Sequence, residues 1–413
     1  DIVSGTVDRH VFWDETIYQR ELEQIFARCW LLVGHESQIP DPGDYLTTSM
    51  GEDQVIVVRQ VGGTIVAMIN SCPHRGNRVC HADFGHADSF VCSYHGWAFN
   101  RDGSLAGVHE EQAFRSDPNW RPESVGLARV AQVDTYKGLI FATFDADAPP
   151  LRDYLGDFCW YLDVMLDADE AGTEFLPGVL SSVLECNWKI AAENFVGDAL
   201  HAGWTHDSGA RAIFGGPVKE LAGGESYHAS VDGHSWEFNL DEIGNAATLA
   251  DRRILDYLRS RREVVEARLG PLRARMVGAI SSVGVFPNFS FLPGQQTFRT
   301  WSPLGPTRTR LTTWVLVNRS APPEVKEAYR KGVMLTFSPA GIFEMDDGEN
   351  WEQSTLVNRG WVTRHQRLHY GLGLDTRLGH GVLDGVGPPS SWPGSCGTRH
   401  GRTWPARSGR RRR

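Results

Sequence analysis

Two short turns rich in cysteine and histidine constrain this 413-residue chain more than any other feature. The stretch from Ser71 to Trp97 reads SCPHRGNRVCHADFGHADSFVCSYHGW and contains Cys72-x-His74, seventeen intervening residues, then Cys92-x-x-His95. Two thiolates and two imidazoles on two tight turns read as a metal site. Four Cys and His ligands usually mean tetrahedral zinc, but zinc spacings pair like with like, whereas each turn here supplies one of each kind. A two-iron cluster accounts for the mixture, because one iron takes both thiolates and the other both imidazoles. Zinc stays the competing reading. Cys80, His81 and His86, between the turns, read as loop residues without a metal.

With Arg75-Gly76 after His74 and Gly96-Trp97 after His95, the arrangement resembles the Rieske 2Fe-2S family. In such clusters histidine ligation raises the reduction potential to roughly −150 to +300 mV. Arg75 and Arg78 fit either a docking surface for an electron-donating partner or a solvated loop face.

The bulk of the chain excludes several classes. A net charge of −10 argues against nucleic acid as a partner. No apolar run approaches the ~20 residues that a bilayer crossing needs, and no secretory leader is visible. Seven scattered cysteines make no disulfide framework, which fits a reducing cytoplasm. Residue 1 is Asp, so the natural start is expected to lie upstream. From Leu374 onward eight Arg stand against Asp375 and Asp384, so this tail carries +6 and the rest −16. Rich in Gly, Pro and Ser and without hydrophobic periodicity, residues 374–413 are expected to be disordered. A basic tail for nucleic acid or membrane is one reading of it; an out-of-frame end is the preferred one.

Residues 14–30 read as a helix, because Tyr18, Leu22, Ile25 and Cys29 recur at helical spacing, and 1–33 is expected to pack on the larger domain. From Gly34 the pattern changes to short β-rich runs, Gln54 to Arg59, Thr64 to Asn70, Phe90 to Cys92 and Gly138 to Phe144. Turn signals at Gly62-Gly63 and Asp102-Gly103 support hairpins, with both metal turns expected at hairpin tips. This predicts a small all-β domain over 34–147, closed by Ala148-Pro149-Pro150. Residues 148–373 mix an apolar helical stripe (Ile254, Leu255, Leu258, Val265, Leu269) with strand runs Phe289 to Leu292, Phe298 to Trp301 and Leu311 to Val317. The fold class is α+β.

A second constellation lies in residues 187–206, NWKIAAENFVGDALHAGWTH. Asn194, Asp198 and His201, four and three apart, share one face of a helix. His206 lies about 140° away on a straight helix, so Gly203 is expected to loosen the helix and swing it round. Two imidazoles and a carboxylate would form the facial triad of a non-haem Fe(II) site with positions open for O2.

The string Glu193-Asn194-Phe195-Val196-Gly197-Asp198 followed by His201 and His206 resembles the catalytic site of the aromatic-ring-hydroxylating Rieske oxygenases, large (α) subunit. The motifs look most like naphthalene, phenanthrene and biphenyl dioxygenases. That resemblance implies an antiparallel sheet flanked by helices (helix-grip type) behind the Rieske domain. It implies a third ligand in Phe343-Glu344-Met345-Asp346-Asp347-Gly348-Glu349, by the family pattern Asp347, with Asp346 and Glu344 competing. It also implies a ring of subunits in which Asp198 bridges His201 to His95 of a neighbouring chain. A pocket of Asn194, Phe195, Val196, Leu200, Ala202, Phe337 and Phe343 would take a flat ring system, Asn194 offering a polar contact. The implied activity is insertion of both atoms of O2 into an arene to give a cis-dihydrodiol. Electrons would come from NADH through a reductase and a ferredoxin, and a small β subunit would complete the assembly. A salicylate-hydroxylase-like monooxygenase and a Rieske electron carrier without catalysis are the alternatives.

Overall fold

A computed structural model describes residues 4–215, 226–239, 251–279 and 281–371. The basic tail lies outside the described residues, as does the side chain of Leu200. The chain forms two compact units, one of Glu21–Leu151 and one joining Asp1–Arg20 to the chain from Arg152 onward. These divisions, 20/21 and 151/152, differ from the expected 33/34 and 147/148.

Strand β1 (Thr6–Asp8) and helix α1 (Glu15–Glu21) open the chain. The helix expected over 14–30 is shorter. Asp14 caps its start by accepting from Ile17 N–H at 3.0 Å, but the turn Leu22–Phe26 widens to π geometry, and the chain then leaves the helix. The wider turn accompanies burial of Phe26, which packs on Gly51.

The small unit continues with β2 (Leu31–His35), β3 (Asp44–Met50), β4 (Asp53–Arg59), β5 (Ile65–Ile69), β6 (Phe84–His86), β7 (Ser89–Val91), β8 (Ala98–Asn100), β9 (Leu105–Gly107), α2 (Glu111–Arg115), β10 (Gln132–Tyr136) and β11 (Leu139–Thr143). They make three antiparallel sheets, β5-β4-β3-β6, β7-β8-β9 and β10-β11-β2. Val55 to Val58 are buried on both faces of β4, as a central strand requires. The core beneath the metal turns contains Ile56, Met68, Phe90, Trp97 and Phe99, and Cys72 and Cys92 belong to it. The second metal turn is the tip of hairpin β7-β8, as expected. The first is not a hairpin tip, because β5 pairs with β4 while β6, the next strand, pairs with β3.

The large unit runs α3 (Leu151–Leu155), α4 (Cys159–Leu166), β12 (Thr173–Phe175), β13 (Leu180–Leu184), α5 (Trp188–Gly197), α6 (Ala199–Thr205), α7 (Asp207–Phe214), β14 (Ser226–Val231), β15 (His234–Asn239), α8 (Arg252–Leu269), α9 (Pro271–Met276), β16 (Ser281–Val285), β17 (Phe289–Leu292), β18 (Thr297–Pro303), β19 (Thr309–Asn318), α10 (Pro323–Thr336), α11 (Ile342–Asn358) and β20 (Arg367–His369). Its antiparallel sheet has the order β12-β19-β18-β17-β16-β15-β14, with β13 also on β19, and β20 pairs with β1. Alternation along the first part of β19 buries Thr309, Leu311, Thr313 and Val315 while Arg310, Thr312 and Trp314 are only half-buried, and Leu316 and Val317 beyond them are buried as well. Ile254, Leu258, Val265 and Leu269 bury one face of α8, as their spacing predicts, and Leu255 lies off it. Helix α5 lies on β15 to β18, and α11 packs against α5. No helix among the described residues is long and apolar enough to cross a membrane, and the six described cysteines are all free.

Candidate metal centres

The two turns of the small unit share one hydrogen-bonding plan. Cys72 N–H donates to the Asn77 carbonyl and Gly76 N–H to the Cys72 carbonyl, both at 2.8 Å. Cys92 N–H donates to the Trp97 carbonyl at 2.8 Å and Gly96 N–H to the Cys92 carbonyl at 3.0 Å. Gly76 and Gly96 both hold positive φ (74° and 68°), which explains a glycine four residues after each cysteine. Buried Asn70 clamps the return of the first turn, its Oδ1 accepting from Val79 and Cys80 N–H and its Nδ2 donating to the Cys80 carbonyl at 2.7 Å.

These turns bring Cys72, Cys92, His74 and His95 together. Both cysteines are buried, and the imidazole centroids are 4.4 Å apart. His74 stacks on Trp97 at 4.9 Å with planes 1° apart and meets the edge of Phe114. Its Nδ1 is buried without a hydrogen-bond partner. A buried ring nitrogen left unsatisfied costs about 1–3 kcal/mol, so a metal there removes a penalty that the protein atoms leave standing. Burial pushes the Cys92 thiol up, but the Tyr94 N–H and the Asn77 side-chain amide outweigh it and hold the group below its ordinary value. Two thiolates and two imidazoles, one of each per turn, fit a 2Fe-2S cluster with mixed ligation. Cys80 sits in the core, and His86 Nδ1 lies 2.9 Å from Asp44.

In the large unit Asn187 caps α5 through its side chain, which accepts from Lys189 N–H at 3.0 Å. The helix does not run on to His206. It breaks at Asp198 (φ −128°, ψ 42°), five residues before the glycine expected to loosen it. Two hydroxyls explain the break. Ser282 donates to the Phe195 carbonyl at 2.8 Å and Ser235 to the Val196 carbonyl at 2.7 Å, providing those acceptors with partners outside the helix. Helix α6 then carries His201, and His206 stands at the junction with α7.

Helix α11 supplies the carboxylate. His201 Nε2 lies 3.4 Å and His206 Nε2 3.3 Å from Asp347 Oδ1, and one donor atom from each of the three residues falls within 4.8 Å of the others. Burial alone would raise Asp347, but His201 and His206 overcome it and hold the carboxyl at about 2. Burial alone would lower His201, and the Asp347 contact takes it up to about 9. A kept carboxylate with two imidazoles suits a divalent iron, whose binding requires the imidazoles neutral.

The other acidic candidates separate. Glu344 pairs with the fully buried Arg299, held between the rings of Phe195 and Phe337 at 4.9 and 4.7 Å. Asp346 Oδ2 lies 3.3 Å from His206 Nδ1, a contact that sequence reasoning missed. Adjacent helical residues point about 100° apart, so one aspartate faces the histidine nitrogens inward while the other reaches the outer nitrogen. His201 Nδ1 meets the main-chain carbonyl of Asp198, whose carboxylate is farther off at 3.8 Å. Asn194 Nδ2 stands 3.4 Å from the same nitrogen.

An open cleft of about 600 Å³ reaches this set past Glu193, Asn194, Asp198, His201 and Asp347. Of the residues expected to line a substrate pocket, Asn194 lines this cleft. Phe195 instead belongs to the core, against Trp301 and Trp351. Phe343 lies 4.9 Å from the His206 ring with Phe337 behind it, forming an apolar side of the set. Val196 faces Gly284, and Ala202 is half-buried on α6.

Known proteins with this plan are numerous. Residues 29–130 match the Rieske 2Fe-2S domain and residues 152–366 the ring hydroxylating alpha subunit catalytic domain. The biphenyl 2,3-dioxygenase subunit alpha of Rhodococcus jostii is 44% identical over 380 residues, covering 90% of this chain and 82% of the relative. The benzene 1,2-dioxygenase subunit alpha of Pseudomonas putida is 42% identical over 386 residues, covering 90% and 84%. The crystal structure of naphthalene 1,2-dioxygenase from a Rhodococcus species bound to indole superposes with a TM-score of 0.80 at 33% identity, covering 93% of this chain and 89% of that one. The two domains imply a Rieske cluster and a mononuclear iron, with O2 as co-substrate. With these matches added to the geometry of the two centres, the chain belongs to the ring-hydroxylating alpha subunits of the Rieske non-haem iron aromatic dioxygenases.

Proposed function

We propose that this α subunit adds both atoms of O2 across a double bond of a polycyclic or biaryl hydrocarbon, giving a cis-dihydrodiol. The observation that carries the reading is the convergence of His201, His206 and Asp347 in a chain that also holds the paired Cys and His turns. Cys72, His74, Cys92 and His95 would hold the cluster, and His201, His206 and Asp347 the mononuclear iron. Bound there, the two groups supply single-electron relay and O2 activation.

The chain's own residues do the rest. Asp346 holds the outer nitrogen of His206 and the Asp198 carbonyl that of His201, fixing which nitrogen faces inward. Buried Phe343, backed by Phe337, makes the wall beside His206 apolar. The Asp198 carboxylate is half exposed on the cleft, suited to receive His95 of a neighbouring chain as a bridge for the electron. Electrons would come from NADH through a reductase and a ferredoxin, a small β subunit would complete the assembly, and the enzyme would work in the cytoplasm.

The test is turnover of biphenyl and naphthalene with a reconstituted reductase and ferredoxin, read by product analysis in 18O2. A cis-diol with both oxygens labelled is expected; a singly labelled phenol would make it a monooxygenase, and no product with a reducible cluster would favour an electron carrier. Asp198→Asn should keep both metals and slow reoxidation of the cluster, and full turnover would remove Asp198 from the bridge.

A further inference from the structure

We infer that the side-chain amide of Asn77 sets the reduction potential of the cluster by donating a hydrogen bond to the thiolate of Cys92. The inference rests on the assignment of the cluster to Cys72, His74, Cys92 and His95. Asn77 joins the two ligand turns. Its carbonyl accepts from Cys72 N–H at 2.8 Å, which closes the first turn and anchors its backbone. Its side chain leaves that turn and reaches the second. Asn77 Nδ2 lies 3.1 Å from the Arg78 carbonyl, 3.4 Å from Ser93 Oγ and 3.7 Å from Cys92 Sγ. With two N–H groups, one can serve the Arg78 carbonyl while the other points between Cys92 Sγ and Ser93 Oγ.

The consequence follows from charge. Reduction adds one electron to a cluster whose negative charge is spread over its sulfurs, so an N–H dipole aimed at a ligand sulfur stabilises the reduced state more than the oxidised one. Hydrogen bonds to the sulfurs are among the levers that set such potentials. Cys92 is 1% exposed, and a buried contact is screened less than one in water. Asn70, by contrast, spends its buried amide on the backbone of Val79 and Cys80, so it fixes the turn's shape and leaves the potential to Asn77.

The experiment is a redox titration of the purified protein, cluster loaded, in wild type and Asn77→Leu. Leucine has similar volume and no donor. The equilibrium constant for cluster reduction should fall about tenfold, which for one electron is about 59 mV more negative. An unchanged potential in a variant that keeps the mixed-ligand cluster spectrum overturns the inference. If the variant does not assemble, pulsed EPR on the reduced unmutated protein labelled with 15N in asparagine side chains decides. A weak 15N coupling, separate from the 14N couplings of the two imidazoles, supports the bond, and its absence overturns it. A wild-type protein without a Rieske spectrum would instead refute the cluster assignment itself.

Discussion

Gly284 on β16 lets the end of α5 approach the sheet. A Cβ added there would stand 1.9 Å from Val196 Cγ1, 3.4 Å from Val196 Cβ and 3.8 Å from the Phe195 carbonyl, so Gly284→Ala forces a shift of more than an ångström. Val196 is β-branched and in a helix prefers one rotamer, so it cannot simply turn away. Nor can the backbone retreat freely, because Ser282, two residues before Gly284, binds the Phe195 carbonyl and Ser235 binds that of Val196. Overpacking of this kind costs about 1–3 kcal/mol, and a lost hydroxyl bond adds about 1 kcal/mol. A total of about 2–4 kcal/mol corresponds to a fall of roughly 4–16 °C in the melting temperature of a unit this size. Because α5 ends at Asp198, mononuclear iron per chain should fall as well. The assay is calorimetry with metal analysis on Gly284→Ala, Val196→Ala and the double variant. Removing both Val196 γ-methyls should restore much of the loss in the double variant, giving a coupling of opposite sign to the single costs. A Gly284→Ala protein as stable and as iron-loaded as wild type, or one that Val196→Ala fails to rescue, would refute the reasoning.

Three further outcomes are expected. Asp347→Ala should lose mononuclear iron, whereas Asp346→Ala, which removes a contact to the outer nitrogen of His206, should weaken iron binding about 10- to 100-fold without abolishing it; isothermal iron titration separates the two. Arg299→Met should destabilise the large unit by about 3–5 kcal/mol in denaturant unfolding, because Glu344 is left buried without its cation. Glu193, raised to about 7 by burial though it accepts from Tyr370 Oη at 2.6 Å, binds a proton in the folded state that the unfolded chain has released. Its contribution therefore lowers stability as pH climbs from about 4.5 to about 7, and Glu193→Gln should flatten that part of a melting-temperature profile.

What the sequence revealed and what it hid follow from the range of the interactions. The Cys72 and Cys92 turns are local, each closed by hydrogen bonds spanning at most five residues, so spacing alone exposes them. The run Phe289 to Leu292 coincides with β17, because flanking turns and apolar residues mark it without outside help. The break at Asp198 was not legible, since the hydroxyls behind it belong to Ser235 and Ser282, 39 and 87 residues from the carbonyls they take. Gly203 is the flexible residue of this stretch, yet a glycine permits a bend without causing one. Asp346 looked like a rival to Asp347, and only the helical geometry of α11 gives each aspartate a different nitrogen. Phe195 stands next to Asn194 in sequence, but adjacent helical residues point about 100° apart, and Phe195 turns into Trp301 and Trp351.

The central claim is that one chain holds both a Rieske cluster and a mononuclear iron. Anaerobic quantification of iron and acid-labile sulfide, with an EPR spectrum after reduction, tests it most directly. About three irons and two sulfides per chain are expected, with the signal of a cluster of mixed histidine and cysteine ligation. Zinc without sulfide, or a cluster with no third iron even after anaerobic loading with Fe(II), would contradict it.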